Sequence, residues 1–399
     1  MKKYNITLGL LLLNIFLAFL GIGLIIPVMP SLINELGISG TTIGYLTAAF
    51  AIAQLIVSPF AGKAVDQIGR KIIIVIGLFI FGISEFLFGI GKEVSILFIS
   101  RVLGGISAAM IMPAVTAFIA DITTMDKRPK AMGYMSAAIS TGFIIGPGIG
   151  GLLAEFGTRV PFFFAGGLGV LPGIQSIIVL SEPERIEEET TETTTERKSG
   201  LQKVFSPIFF IPLVLIFVIS FGLAAFESFF SLYTDHKFQF KPKDIAIVIM
   251  GGGIIGAIAQ VVLFDWLVRI WGEIKLIRYC LVVSAVLVFC MTVVQSYWSI
   301  ILVTFTVFVG FDLFRPAVTS YLSNIAGKEQ GFVSGMNSMF TSMANIAGPI
   351  IGGFLFDINI NYPYYFAAFI MVLGIMLSMI WKKPSSQSNK QLKASFSKS

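Results

Sequence analysis

Twelve stretches of roughly 20 mostly apolar residues follow one another along this chain of 399 residues. A stretch of that length crosses a bilayer as an α-helix, because lipid leaves no solvent to satisfy the backbone. Hydrophobic residues make up 56% of the sequence and charged residues 13%, against about 45–50% and about 25% in soluble domains. We therefore predict an all-α polytopic membrane protein without a cleavable signal peptide. The predicted spans are 6–33, 42–61, 72–91, 95–118, 130–153, 160–180, 207–233, 243–264, 275–294, 298–322, 331–353 and 361–381.

Short sequence patterns recur at a separation of 202 or 203 residues, which indicates two duplicated halves. Parallel repeats of six helices are typical of transporters, with the substrate site between the halves. We predict an N-terminal half over 1–181, a cytoplasmic linker over 182–203 without chemical role, a C-terminal half over 204–382 and a tail over 383–399. The recurring patterns are Gly146-Pro-Gly-Ile-Gly-Gly151 with Gly348-Pro-Ile-Ile-Gly-Gly353, Pro113-Ala-Val-Thr116 with Pro316-Ala-Val-Thr319, and Gly69 with Gly272.

The distribution of basic residues predicts the orientation of the chain in the membrane. With the N-terminus inside, 21 lysines and arginines fall in cytoplasmic segments and 5 in external ones. This bias follows the positive-inside rule. We predict a multi-pass protein of the cell membrane with both termini in the cytoplasm, surrounded by lipid, monomeric and without a nucleic-acid partner.

The fifth predicted span carries glycines at every fourth position. Gly142, Gly146 and Gly150 form one bare helix stripe, and Pro147 interrupts the hydrogen-bond ladder beside it. Small residues at this spacing let another helix backbone approach closely in lipid. The stripe is explained either by a packing seam common to membrane bundles or by a gating helix.

Two acids lie inside apolar spans, where a charged group is costly and usually functional. Glu227 stands in a run of phenylalanines, and Asp312 precedes Arg315 by three residues on one helix face. Apolar surroundings disfavour the ionised form of an acid, so these groups are candidates for proton binding. An ion pair between Asp312 and Arg315 that ties the bundle together is the structural alternative. Glu85, near the outer end of the third span, either reaches the interface or serves the site.

The loop after the second span reads Gly62-Lys-Ala-Val-Asp-Gln-Ile-Gly-Arg-Lys71. It resembles the major facilitator superfamily signature G-x-x-x-D-x-x-G-R-K/R, which latches the inner gate in that family. The resemblance implies a gating role for Gly62, Asp66, Gly69 and Arg70. Arg101 resembles the family's arginine of the fourth span, which is associated with proton transfer. Bonding of Arg101 to backbone carbonyls of neighbouring helices is the alternative.

The G-x-x-x-G-P-x-x-G-G pattern around Pro147 resembles the drug/proton antiporter branch of that family, with 12 spans. With Phe221-Gly-Leu-Ala-Ala-Phe-Glu227 and Gly310-Phe-Asp-Leu-Phe-Arg-Pro316, the chain is most similar to Gram-positive Bmr/NorA-type multidrug efflux pumps. The resemblance implies proton coupling by Glu227 and Asp312 and export of hydrophobic, often cationic drugs and dyes, including fluoroquinolones. It implies gating by Gly142, Gly146, Pro147, Gly150 and Arg315. The implied substrate-binding residues are Phe19, Phe50, Gln54, Arg101, Phe143, Glu227, Phe311, Asp312 and Asn345.

Several alternatives follow from the residues themselves. Phe50, Gln54 and Asn345 are explained either by a binding cavity or by contacts between helices. A nutrient–proton symporter shares this fold, but it would need several polar residues converging on its substrate, and few are present. A membrane-embedded enzyme or receptor lacks support, since the sequence has no nucleophile–base set, metal cluster or phosphate-binding loop. We expect no cofactor and no bound metal.

Overall fold

A computed structural model describes residues 2–124, 126–183, 207–326 and 330–381. Within these ranges the chain forms thirteen α-helices and two 3-10 turns. Together they provide twelve helical segments long and apolar enough to cross a membrane, so the predicted fold class is confirmed. The helices are α1 (Lys2–Ile25), α2 (Met29–Leu36), α3 (Gly40–Ile68), α4 (Arg70–Ile90), α5 (Val94–Ile122), α6 (Arg128–Leu153), α7 (Val160–Val179), α8 (Pro207–Phe238), α9 (Pro242–Trp271), α10 (Glu273–Val293), α11 (Tyr297–Ala326), α12 (Gln330–Ile358) and α13 (Tyr362–Ile380).

The first membrane span consists of α1, a 3-10 turn over Ile26–Val28 and α2. Pro27 lies in the 3-10 turn, where its missing N–H interrupts the regular ladder. The span ends at Gly37, whose backbone is left-handed (φ +62°) and whose N–H bonds the carbonyl of Ile33. This is a common helix stop, because glycine adopts the left-handed conformation without steric cost.

The second span, α3, is longer than its predicted range of 42–61. It begins where Ser39 accepts a hydrogen bond from the N–H of Thr42 (3.2 Å) and ends at Gly69, whose φ is +124°. Hydropathy marks only the part of a helix that lies in hydrocarbon, whereas the helix itself continues through Lys63 and Asp66. The cytoplasmic loop predicted after this span is therefore largely helical.

The helices are grouped into two compact units. Among the described residues, unit 1 comprises 2–124, 126–183 and 229–251, and unit 2 comprises 207–228, 252–326 and 330–381. In unit 1, α1 packs on α6, α5 packs on both α3 and α4, and α4 packs on α7. In unit 2, α10 packs on α11 and α13. The predicted boundaries of the two halves stay a prediction.

The glycine stripe of α6 is a packing seam against the backbone of α1. A Cβ atom at Gly142 would stand 2.7 Å from the carbonyl oxygen of Phe16, and one at Gly146 would stand 2.7 Å from that of Leu20. Gly150 faces the carbonyl of Leu24 even more closely. The contact repeats every four residues on both helices, so any larger side chain on α6 would push the two backbones apart.

Candidate functional site

In unit 2, Glu227 is an exposed acid on a phenylalanine-rich part of α8. Its neighbour Phe226 is buried, and its ring lies 5.9 Å from that of Phe308, 6.2 Å from that of Phe311 and 6.3 Å from that of Tyr364. These rings meet at tilted or edge-to-face angles, the arrangement that aromatic quadrupoles favour. The helix therefore presents a carboxyl group directly beside a packed aromatic cluster.

The second predicted acid, Asp312, lies on α11 against two glycines of α9. A Cβ atom at Gly252 would stand 2.5 Å from the ring of Phe308, and one at Gly256 would collide with the Asp312 carboxylate. Phe308 and Asp312 are four residues apart, as are the two glycines, so both pairs lie along one helix–helix contact. The glycines make room for the acid and for an aromatic ring of the Phe226 cluster.

Arg315 lies one turn beyond Asp312 and acts electrostatically on the carboxyl groups of both Asp312 and Glu227. Asp312 is half-buried, whereas Arg315 and Glu227 are exposed. Among the described residues no ion pair joins Asp312 to Arg315, so the structural alternative of a locked pair is not observed. Two carboxyl groups from different helices thus share the field of one guanidinium group.

The other predicted residues of unit 2 differ in accessibility. The side chain of Phe311 is only 1% exposed and packs against Phe226. It therefore belongs to the interior of unit 2 behind the surface on which Glu227 is exposed. Asn345 is exposed on α12, and its amide makes no hydrogen bond within the described chain. Gly348 packs its helix against α8, since a Cβ there would lie 3.1 Å from the carbonyl oxygen of Phe221. Substrate contacts for Phe311 and Asn345 stay predictions.

In unit 1, the structure brings the predicted aromatic residues of α1 and α6 together. The rings of Phe19 and Phe143 are 5.1 Å apart and meet edge to face. Both side chains keep part of their surface accessible, and Phe143 is 39% exposed. They form a partly open aromatic pair beside the glycine seam.

Phe50 and Gln54 of α3 pack on glycines of α5. A Cβ atom at Gly104 would stand 3.2 Å from the Phe50 ring, and one at Gly105 would stand 3.1 Å from the backbone N of Gln54. Both side chains remain half-buried. The helix–helix contact, one of the two explanations that the sequence allows for Phe50 and Gln54, is therefore present. Part of the surface of both side chains stays accessible.

Under the predicted repeat of 203 residues, the α9–α11 contact corresponds to this α3–α5 contact, but the glycines lie on the other helix of the pair. In unit 1 the glycines lie on α5, whereas in unit 2 they lie on α9. The repeat position of Asp312 is Ala109, which is buried in unit 1. Only the second copy of this contact therefore carries an acid.

Arg101 pairs with Glu85 inside unit 1. The guanidinium Nη2 lies 3.2 Å from Glu85 Oε1, and its carbon stacks 4.2 Å above the ring of Phe88. Glu85 is 2% exposed, so this acid does not reach the interface. The binding of Arg101 to backbone carbonyls, the alternative expected from sequence, is not found among the described contacts. Sequence reasoning missed this pair because its members lie on different helices.

The signature loop forms a compact charged cluster at the junction of α3 and α4. Arg70 Nε donates to Asp121 on α5 (2.8 Å), and Arg70 Nη2 lies 3.5 Å from Asp66. Glu182, just after α7, accepts hydrogen bonds from the backbone N–H groups of Arg70 and Lys71. A carboxylate at a helix N-terminus is favourable, because these N–H groups lack helical partners and the helix dipole is positive there. Gly62 faces open space.

Two residues of this cluster were not predicted. Asp121 ends a long apolar span, and Glu182 belongs to the linker for which the sequence predicts no chemical role. The part of the predicted linker after residue 183, up to 203, lies outside the described residues. The predicted tail over 383–399 does so as well.

Comparisons with known proteins agree with this architecture. The sequence profile of the Major Facilitator Superfamily matches residues 11–314 and 238–398. Multidrug resistance protein 1 of Bacillus subtilis (strain 168) is 63% identical over 385 residues, which cover 96% of this chain and 98% of that protein. Quinolone resistance protein NorA of Staphylococcus aureus (strain Mu50 / ATCC 700699) is 46% identical over 387 residues, covering 97% and 99%.

A solved structure shares the fold. The crystal structure of a bacterial homologue of the human lysosomal transporter Spinster matches with a TM-score of 0.78 at 15% sequence identity. The match covers 99% of this chain and 98% of that one. At this level of identity the likeness concerns the fold alone.

Proposed function

Since this chain belongs to the Major Facilitator Superfamily, we propose that it is a proton-coupled multidrug efflux antiporter. It exports hydrophobic, often cationic drugs and dyes, including fluoroquinolones, by alternating access. The names of its relatives, a multidrug resistance protein and a quinolone resistance protein, support the substrate class. The observation that carries the proton coupling is the placement of Glu227 and Asp312 within the field of one arginine, beside an aromatic cluster.

The proposed cycle exchanges a charged guest for protons at these two carboxyl groups. When the carrier is open to the cytoplasm, ionised Glu227 and Asp312 hold a lipophilic cation, which also stacks on aromatic faces. When the carrier opens to the outside, protons neutralise the acids and the guest loses its charge partners. The protonated carrier then returns and releases its protons inside. A ligand shifts such an equilibrium only by its difference in affinity for the two states, and protonation supplies that difference here.

The remaining roles are assigned by position. We propose that Phe19, Phe50, Gln54, Phe143 and Asn345 contribute accessible surface for guests of varied shape. Broad specificity follows, because aromatic surface with few directional polar groups accepts many ligands. We propose gating roles for the α6 stripe and for the Arg70 cluster, since each ties neighbouring helices together. The proposed gating residues are Gly62, Asp66, Gly69, Arg70, Gly142, Gly146, Pro147, Gly150 and Arg315.

The proposed setting is the cell membrane. The twelve spans establish a multi-pass membrane protein, and we propose that both termini face the cytoplasm because of the excess of basic residues there. We propose that the transporter works as a monomer of two six-helix halves, 1–181 and 204–382. It uses no cofactor.

Transport in inside-out vesicles tests this function. With an acid lumen, wild-type vesicles are expected to accumulate tetraphenylphosphonium, and an uncoupler is expected to abolish the accumulation. Glu227→Gln is expected to weaken accumulation strongly, whereas Asp265→Asn, which removes an exposed acid of α9, serves as the matched control. No gradient-driven accumulation by well-folded protein, together with proton-driven uptake of sugars or amino acids in right-side-out vesicles, would contradict export and favour a nutrient symporter.

A further inference from the structure

Unit 2 contains a small polar cleft between α8, α11 and α12 that the proposed cation site does not use. Its volume is about 50 Å³, enough for a few water-sized groups or one carboxylate but too small for a whole drug. Its walls include the buried apolar side chains of Ile219 and Phe314. Its polar lining is Ser220, Arg315, Thr319, Asn337 and Thr341.

The polar groups of this cleft are unsatisfied by the protein. In the described chain, the side chains of Arg315, Thr319, Asn337 and Thr341 make no hydrogen bond and no ion pair, and all four keep surface that a ligand can reach. Ser220 is 6% exposed and lines the inner wall of the cleft. Hydrogen-bonding groups that converge on one concave site without protein partners are characteristic of a ligand site.

The chemistry of the lining selects an anion. The cleft has one guanidinium group, three hydroxyl groups and one amide, and no acidic side chain lines it. Guanidinium donors match the two oxygens of a carboxylate, and hydroxyl and amide groups add further donors. A cation would meet Arg315 at close range and be repelled.

The cleft extends along the helices away from the acids, and it begins at Arg315, three residues after Asp312. Ser220 precedes Glu227 by seven residues on α8, and Thr319 follows Asp312 by seven residues on α11. Seven residues of α-helix rise about 10 Å. Because the predicted topology runs α8 outward and α11 inward, both displacements point towards the cytoplasmic side.

We propose that this cleft binds the carboxylate of zwitterionic drugs, while Glu227 and Asp312 hold the cationic amine one to two helical turns, about 5–10 Å, away. The proposal rests on the proposed efflux function and adds a second, anionic subsite to it. It assigns to Arg315 a ligand contact in addition to its electrostatic action on the acids. A quinolone with a ring carboxylate and a basic amine at the opposite end fits both subsites at once.

The test compares norfloxacin with its methyl ester, which keeps the amine and the ring system but loses the carboxylate charge. Both are followed in inside-out vesicles with an acid lumen, for wild type and for Thr319→Val/Thr341→Val. This double variant removes two donors at nearly constant shape and leaves Arg315 in place. Ser338→Ala, which removes an exposed hydroxyl of α12 outside the cleft lining, is the matched control. If the double variant does not reach the membrane, the two single variants are used.

The expected result is a rise of about tenfold in KM for norfloxacin, since hydrogen bonds to a charged group are lost. The KM for the ester is expected to stay within about twofold of wild type, because hydrogen bonds to a neutral ester carbonyl lack charge assistance and contribute less. Single variants are expected to give a smaller rise for norfloxacin only. Ser338→Ala is expected to change neither constant.

An equal change for acid and ester, or no change for either, would overturn the anionic subsite. Tetraphenylphosphonium, which has no acidic group, is measured in the same vesicles to separate this outcome from failure of the proposed function. Intact accumulation of this cation, with acid and ester equally affected, rejects the subsite alone. Loss of gradient-driven cation accumulation in wild type rejects both proposals.

Discussion

The carboxylate of Asp312 lies directly against the backbone of α9 at Gly256, where a Cβ atom would collide with Oδ2 and stand 3.0 Å from Cγ. The atoms in the way belong to the end of a rotatable side chain rather than to a backbone. A methyl group at Gly256 would therefore move the acid without separating the helices. Glycine at this position fixes where the proposed proton-binding group is held.

Gly256→Ala is expected to reduce proton-driven cation accumulation several-fold at unchanged protein level, because it displaces the Asp312 carboxylate from its position near Arg315. The measurement is initial uptake in inside-out vesicles, normalised to transporter content. Gly335→Ala is the matched control, since a Cβ at Gly335 meets no atom within 4 Å. Equal transport by the Gly256 variant and the control would show that the position of Asp312 does not matter.

Gly150→Ala is expected to lower the thermal stability of the protein. A Cβ there meets the backbone of α1 at Leu24, whose carbonyl carbon would be 2.7 Å away and cannot rotate out. Overpacking of this kind costs about 1–3 kcal/mol. Thermal unfolding of the purified protein in detergent measures the effect. Gly133→Ala is the control, because a Cβ there meets open space, and it should leave the melting temperature unchanged or slightly raised. An equal fall of the melting temperature in both variants would contradict a packing seam between α1 and α6.

The buried pair Glu85–Arg101 is expected to show strong energetic coupling. Removing one partner leaves the other charge in apolar surroundings, which typically costs about 3–5 kcal/mol. Arg101→Met and Glu85→Gln should each lower thermal stability, and the double variant should lose less than the sum. Strict additivity in this double-mutant cycle would mean that the two side chains do not interact.

The two acids that bind Arg70 are expected to differ in importance. Asp121 is 18% exposed and Asp66 is 73% exposed, and the shorter contact is to Asp121. Asp121→Asn should cost about 1.5–3 kcal/mol, because it removes a charge-assisted hydrogen bond near the protein interior. Asp66→Asn should cost about 0–1 kcal/mol, because solvent screens an exposed pair. The comparison uses melting temperatures in detergent, and a larger loss for Asp66→Asn would refute this ranking.

The sequence was sufficient for the features that depend on local periodicity. The twelve spans follow from apolar length, and the α6 seam follows from glycines four residues apart. The first span shows what periodicity does not reveal. Its helix is interrupted by a 3-10 turn at Pro27, and only the structure locates this break. Helix ends outside the hydrocarbon, such as that of α3, leave no hydropathy signal.

Contacts between distant residues were beyond sequence reasoning. Glu182 binds the N-terminus of α4 across 112 residues, and Arg70 pairs with Asp121 across 51. Arg159 Nη1 donates a hydrogen bond to the carbonyl oxygen of Gly89 (2.7 Å) across 70 residues. In each of these contacts the two residues lie on different helices or loops, so residue spacing along one helix does not predict them. The same holds for Gly256, whose importance depends on a side chain from α11.

Proton release on substrate binding tests the central claim most directly. Tetraphenylphosphonium is added to purified wild-type protein in weakly buffered detergent solution over a series of pH values, and the protons released per bound cation are measured. The account predicts release from wild type, because the cation and the protons compete for Glu227 and Asp312, and no release from Glu227→Gln/Asp312→Asn. Equal proton release from the double variant would contradict the account, since the protons would then come from other groups.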